Sequence, residues 1–234
     1  MKAIILAAGR GSRMGSKTQN SPKCFIKIFN KKLIEHQIDN LKNNGIIDIA
    51  IVTGYKSEFL KKYGSKHFYN PNWNTTGILN SLLCASSWLK KYDCIVSYSD
   101  IFFKKKIIND LICDKNPISV AYDPNWKNLW KKRFENPLDD AEKFKIDKNN
   151  FIQDIGGKSS KIENIEGQYM GLLKFQANSL NIFLKKEKKL NFTKMDMTTL
   201  LKEMILKKVK VKGIKNTQRW FEFDSVKDLS LISK

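Results

Sequence analysis

The N-terminal stretch carries the pattern most suited to chemistry. Leu6-Ala7-Ala8-Gly9-Arg10-Gly11-Ser12-Arg13 ends an apolar run in glycines and arginines, Gly15 follows, and the stretch closes on Pro22-Lys23. Glycines at 9, 11 and 15 let the backbone take positive φ and approach a ligand closely. Successive amides in such a turn form an anion-binding nest, and Arg10, Arg13, Lys17 and Lys23 add mobile positive charge around it. The chemistry indicated is phosphate binding at the carboxyl end of a first strand. A second candidate is Asp100, which closes the apolar alternation of residues 92–98. A carboxylate at a core strand end beside a phosphate cradle suits Mg²⁺, which takes one or two carboxylates plus phosphate oxygens. An ordinary turn aspartate would fit the same position.

The better-known glycine loops do not match. A dinucleotide fingerprint needs G-x-G-x-x-G, and Met14 stands where the third glycine belongs. A Walker A loop needs glycine directly before its lysine, and Ser16 precedes Lys17. A plain tight turn is the remaining alternative. However, the spacing Leu-Ala-Ala-Gly-x-Gly-x-Arg with Pro22-Lys23 beyond it resembles the signature of the nucleotidyltransferases that activate small phosphorylated compounds. These include sugar-phosphate nucleotidylyltransferases and bacterial choline-phosphate cytidylyltransferases, and the chain looks most like the latter.

That resemblance implies a reaction of an NTP with a phosphorylated acceptor, releasing pyrophosphate. It implies CTP as donor and Mg²⁺ as cofactor, with Asp100 as one metal ligand and Asp224, in the closing Phe221-Glu222-Phe223-Asp224 stretch, as the second. Arg13 with the loop amides would hold the departing phosphates, Lys23 the α-phosphate, and Lys158 the acceptor phosphate. Asn80 and Ser81 would face the base. The acceptor would be phosphocholine-like or an aminoalkyl phosphonate, held by aromatic Trp126, Trp130 and Tyr169 through cation–π contact and neutralised by Asp139, Asp140, Glu142 or Glu166. A sugar 1-phosphate is the alternative acceptor.

Positioning these groups calls for an α/β scaffold. Residues 3–8 form a buried strand feeding the loop. Residues 32–44 space Leu33, Ile34, Ile38 and Leu41 as a helix closed by Gly45. Residues 46–52 form a strand, followed by Gly54 and Tyr55 as further candidate nucleotide contacts, a helical stretch to residue 63, and a short strand at 67–69. This alternation is that of a doubly wound, mostly parallel sheet, Rossmann-like, which binds ligands at its strands' carboxyl ends. The resemblance adds a GT-A-like plan. A single helix is expected over 78–89, a helix over 106–113 and a strand over 118–122. Residues 123–142 are aromatic, charged and weakly periodic, an insertion over one end of the sheet. A hairpin follows (143–146 and 151–155), then a glycine turn at 156–158, a strand at 172–175, helices over 177–188 and 196–207, and a basic edge strand at 209–214. The expectation is one domain over residues 1–234, with an acceptor-binding lid at about 123–171.

Composition bounds the alternatives. With 234 residues, 41% hydrophobic and 11% aromatic, the chain can bury a full core. No run approaches the ~18 apolar residues of a membrane span, and the apolar stretch before Gly9 is short for a signal-peptide core, so a cytoplasmic protein is expected. Cys24, Cys84, Cys94 and Cys113 show no C-x-x-C spacing and the histidines are only His36 and His67. Zinc is therefore disfavoured. The net charge of +20 admits a basic RNA-binding protein without catalysis. The lysines are dispersed, though, with no stripe interleaved with aromatics, so nucleic acid is disfavoured. A monomer or a homodimer fits equally.

Overall fold

The computed structural model describes residues 1–187 and 191–231. The N-terminal half comprises β1 (Lys2–Ala7), the hairpin β2 (Lys27–Ile28) and β3 (Lys31–Lys32), α1 (Leu33–Lys42), β4 (Ile49–Thr53), β5 (Lys66–Tyr69), α2 (Ile78–Cys84), α3 (Ser86–Lys91), β6 (Cys94–Tyr98), β7 (Ile101–Phe102) and α4 (Lys105–Cys113). The remainder comprises β8 (Ile118–Asp123), α5 (Trp126–Arg133), β9 (Glu142–Ile146), β10 (Ile152–Lys158), β11 (Gln168–Phe175), α6 (Ser179–Lys186), α7 (Met197–Leu206), β12 (Lys212–Lys215), β13 (Phe221–Glu222) and α8 (Val226–Ser230).

The central sheet runs β12-β8-β11-β6-β1-β4-β5. It is parallel except for β11, which is antiparallel to both β6 and β8. The apolar runs of β1, β4 and β6 have no polar face because helices cover the sheet on both sides. One apolar layer gathers Ile5, Ile34, Ile51 and Trp126, and the other Ile4, Val52, Leu82 and Leu201. From β1 the chain winds out through β4 to β5, then returns to β6 on the other side of β1. The glycine loop therefore lies at a switch point of the sheet, where open α/β sheets bind ligands.

The structure departs from the expected elements in several places. Residues 55–63 hold a 3-10 turn (Ser57–Leu60) in place of a helix, entered through a positive φ at Lys56. The expected single helix over 78–89 breaks at Ala85, which leaves helical geometry. The weakly periodic insertion contains α5, whose lysine-rich exposed face obscures the buried Trp126 and Trp130. The expected glycine turn at 156–158 is the end of β10, where Gly156 and Gly157 take positive φ and the register with β9 shifts. The helix expected over 177–188 spans Ser179–Lys186, and residue 188 lies outside the described residues. Residues 123–171 pack into the body of the fold: Trp126, Phe144, Ile152 and Ile155 are buried in its two apolar layers.

Candidate active site

Strand register brings the candidate residues together. Leu6 pairs with Tyr98 and Ala7 with Thr53, so the loop after β1 leaves the sheet beside Asp100 on one side and Gly54 on the other. β13 pairs antiparallel with β7, matching Glu222 to Ile101, and the Phe223 amide donates to the Asp100 carbonyl at 3.1 Å. Two aspartates far apart in sequence are thereby set side by side.

The glycine loop is shaped by two glycines at positive φ and braced from below by Met14 and Thr18. Gly11 has φ +68° and Gly15 φ +56°. Met14 is buried below the loop, and the Thr18 hydroxyl donates to the Gly11 carbonyl at 3.0 Å. A Cβ on Gly11 would stand 2.6 Å from Cδ of Lys23, so the lysine stem passes through the space that glycine leaves. The Lys23 ammonium then reaches Asp100 Oδ2 at 2.6 Å and Asp224 Oδ1 at 2.9 Å with only 9% of its side chain exposed. Burial alone would lower the Lys23 pKa, but the charges and hydrogen bonds of Asp100 and Asp224 outweigh it and hold the group above its ordinary value. Burial likewise pushes Asp224 up, and Lys23, Arg13 and Arg133 more than reverse this, keeping its carboxyl below the usual range. Arg13 meets Asp224 Oδ1 at 3.0 Å, yet its side chain is 70% exposed. Such a water-screened pair is weak, and the guanidinium can turn to an incoming phosphate.

The space between Asp100 and Asp224 is built for a cation, and Lys23 supplies one there. Asp100 Oδ1 is buried and has no hydrogen-bond partner among the described residues, leaving a carboxylate oxygen for a further positive group. Two carboxylates completed by phosphate oxygens form a donor set that fits Mg²⁺. Among the described residues, no cluster of three or more His, Cys, Asp or Glu side chains is arranged to hold a metal by itself.

Beyond Asp224 opens a cavity of about 230 Å³ lined by Arg13, Tyr98, Trp130, Glu142 and Tyr169, with Asp140, Asp196 and Glu222 adding further carboxyl groups. Burial pushes the Glu142 carboxyl up to about 7, helped by the nearby Asp196 and Asp140 charges and opposed by the Thr198 hydroxyl donating at 3.2 Å. Burial, and then the Asp224 charge, push the Glu222 carboxyl up against the opposing pull of Arg133. Trp130 donates its indole N–H to Asp140 at 3.0 Å, and the Tyr169 ring stands edge-on to Tyr98 with centroids 5.7 Å apart. A lining of carboxyl groups and aromatic faces can hold a compact cationic group. A larger open groove of about 760 Å³, between α5 and residues 216–221, shares no residue with the loop or with the two aspartates.

The MobA-like NTP transferase domain matches residues 3–132. The chain is 36% identical over 250 aligned positions to the CTP:phosphoglutamine cytidylyltransferase of Campylobacter jejuni, covering 99% of this chain and 98% of that one. The chain belongs to the MobA-like NTP transferase family. It is also 39% identical over 134 positions to the choline-phosphate cytidylyltransferase of Streptococcus pneumoniae, covering 56% of this chain and 57% of that one. The solved inositol-1-phosphate CTP transferase of T. maritima superposes with a TM-score of 0.78 at 19% identity, over 100% of this chain and 95% of that one, and shares the fold.

Not every residue chosen from the sequence of this NTP transferase faces the site. Leu6, Ala7 and Ala8 are buried and set the loop's exit, while Gly9 is exposed and Ser12 opens the 3-10 turn after Gly11. Gly54 and Tyr55 brace the loop: the Tyr55 amide donates to the Ala8 carbonyl at 2.8 Å, and its hydroxyl donates to the Gln19 carbonyl. Asn80 is occupied elsewhere, its amide donating to the carbonyls of Phe192 and Thr193 at 3.0 Å each. Ser81 is buried and accepts from Asn70. Both hold the loop of residues 70–77 and the entry to α7. Trp126 is a core residue bonded to the Ile165 carbonyl, and Glu166 accepts from the Ile146 amide on the outside of the hairpin. Lys158 is exposed and absent from the cavity lining. Sequence reading missed Trp73, whose ring lies 5.2 Å from Tyr55, together with Tyr98, Asp196 and Arg133. Only Arg133 left a signal, as one of few arginines in a lysine-rich chain.

Proposed function

We propose that this transferase moves CMP from CTP to a small phosphorylated or phosphonate acceptor that also bears an ammonium group, releasing pyrophosphate. The observation that carries the reading is the placement of Lys23 between Asp100 and Asp224, packed against Gly11 of the glycine loop, with Asp224 also lining an acidic, aromatic cavity. The names of the relatives supply the base, since both act with cytidine nucleotides on phosphorylated compounds.

The chemistry follows from charge. An acceptor phosphate is largely ionised at neutral pH, its second pKa being about 6, so its oxygen attacks the α-phosphorus without a general base. The bond from the α-phosphorus to the bridging oxygen breaks, and that oxygen leaves with pyrophosphate. The obstacle is the approach of two anions, so catalysis is positioning and charge stabilisation. The loop amides and Arg13 hold the departing phosphates. Lys23, kept protonated by its two aspartates, lies where the α-phosphate enters. Glu142, Asp140 and Asp196 attract the acceptor's ammonium, with Tyr169 and Trp130 against its methylenes. Asp100 and Asp224 would hold Mg²⁺, which when bound supplies positive charge where the two phosphates meet.

The test is pyrophosphate release from CTP, UTP, ATP and GTP, each with phosphocholine, 2-aminoethylphosphonate, phosphoglutamine and glucose 1-phosphate. Turnover should require CTP and an ammonium-bearing acceptor. Turnover confined to the sugar phosphate would move the protein to the sugar-nucleotide branch, and silence with every pair would refute the reading.

A further inference from the structure

We infer that Arg133 is a positioning residue of the transfer reaction, holding the Asp224 carboxylate in the orientation that the site uses. The inference rests on the reading of Asp224 given above. Arg133 ends α5 with 1% of its side chain exposed. Its guanidinium donates through Nε to Asp228 Oδ1 at 2.9 Å, through Nη1 to Glu222 Oε2 at 3.1 Å and through Nη2 to Asp224 Oδ2 at 3.3 Å. Trp130 and Phe134 lie against it, each ring centre 5.1 Å away. Three carboxylates thus converge on one planar group, a geometry that the point charge of lysine cannot reproduce.

The consequence lies in how Asp224 divides its oxygens. Oδ2 is held by Arg133, which leaves Oδ1 turned to Lys23 and Arg13. The backbone is held from the same centre. Asp228 Oδ2 accepts from the Asp224 amide at 2.9 Å and the Ser225 amide at 2.7 Å, while its Oδ1 is fixed by Arg133. Arg133 therefore sets both the carboxylate and the chain that carries it without lining the cavity itself. Glu222, also held, stands at the cavity wall.

Arg133→Lys keeps a charge at the site but cannot make three directed contacts. It should lower kcat roughly 10- to 100-fold, the range for losing a group that orients a ligand, while the KM for CTP changes little. Asp228→Asn, which keeps an acceptor for the backbone amides and removes the partner of Nε, should shift kcat in the same direction to a smaller extent. A second readout is Mn²⁺ binding, followed by electron paramagnetic resonance with a non-hydrolysable CTP analogue. It should weaken about tenfold in Arg133→Lys. A wild-type protein that releases no pyrophosphate refutes the functional reading. An active wild type whose folded variants keep kcat and Mn²⁺ binding within twofold refutes the role of Arg133.

Discussion

Lys23 is a buried cation paired with two carboxylates, Asp100 and Asp224. Lys23→Met should cost roughly 10² to 10³ in kcat, as losing one preorganised stabiliser does, with folding checked by circular dichroism. A variant with undiminished turnover would remove Lys23 from the chemistry. Glu142 gives a pH signature. Its carboxyl is raised to about 7 by burial and then by Asp196 and Asp140. The folded protein therefore holds a proton there that the unfolded chain, with an ordinary carboxylate, has already released. Stability must fall as pH rises from the ordinary carboxylate range to about 7. Glu142→Gln should flatten that part of a plot of Tm against pH. Over the same rise wild-type Glu142 becomes anionic, so the KM for an ammonium-bearing acceptor should improve between about pH 6 and 8, and the variant should lose this trend. A flat KM profile in both proteins would exclude Glu142 from acceptor binding.

At the level of elements, the glycine loop works through two different kinds of glycine. Gly11 combines a left-handed φ with a Cβ position only 2.6 Å from the Lys23 stem, whereas among the described residues nothing beyond Gly9's own chain neighbours lies within 4 Å of its Cβ position. Gly11→Ala should cost about 1–2 kcal/mol of stability from the backbone alone and displace Lys23 as well, so activity should fall further than stability. Gly9→Ala should fold with near wild-type Tm. Thermal melts read beside kcat would separate the two effects, and equal behaviour of the two variants would contradict this account of the loop. β13 makes the companion contribution: a two-residue strand paired with β7 carries Asp224 to Asp100.

Across the whole molecule, the site spans β1, β6, β13 and the wall formed by α5, β9 and β11, so a bound nucleotide ties distant segments together. A ligand present at about a hundred times its Kd adds about 2.7 kcal/mol to stability, which for a chain of this size corresponds to a Tm rise of roughly 5–10 °C. CTP should produce this shift and UTP a smaller one, measured by differential scanning fluorimetry. Equal shifts with all four nucleotides would remove cytosine selectivity. The net charge of +20 does not gather at the cavity beyond Asp224, whose lining is rich in carboxyl groups, and there the local arrangement and the overall charge point in opposite directions.

The loop, Lys23, Asp100 and the doubly wound sheet were legible because their signals are local. Glycine spacing dictates a turn, and an apolar run between turns dictates a buried strand. Asp224 was reached through a motif resemblance, and only the pairing of β13 with β7 shows how it meets Asp100. The positions of Asn80, Glu166 and Lys158 away from the Lys23–Asp100–Asp224 cluster could not be read from the sequence, because a polar side chain's task depends on which distant backbone it reaches, as when Asn80 bonds to Phe192 112 positions away. Arg133 and Asp228 stand 95 positions apart, and no periodicity or spacing links them. Local backbone preference writes elements into the sequence. Which charged groups converge is decided only when the elements pack and desolvate them together.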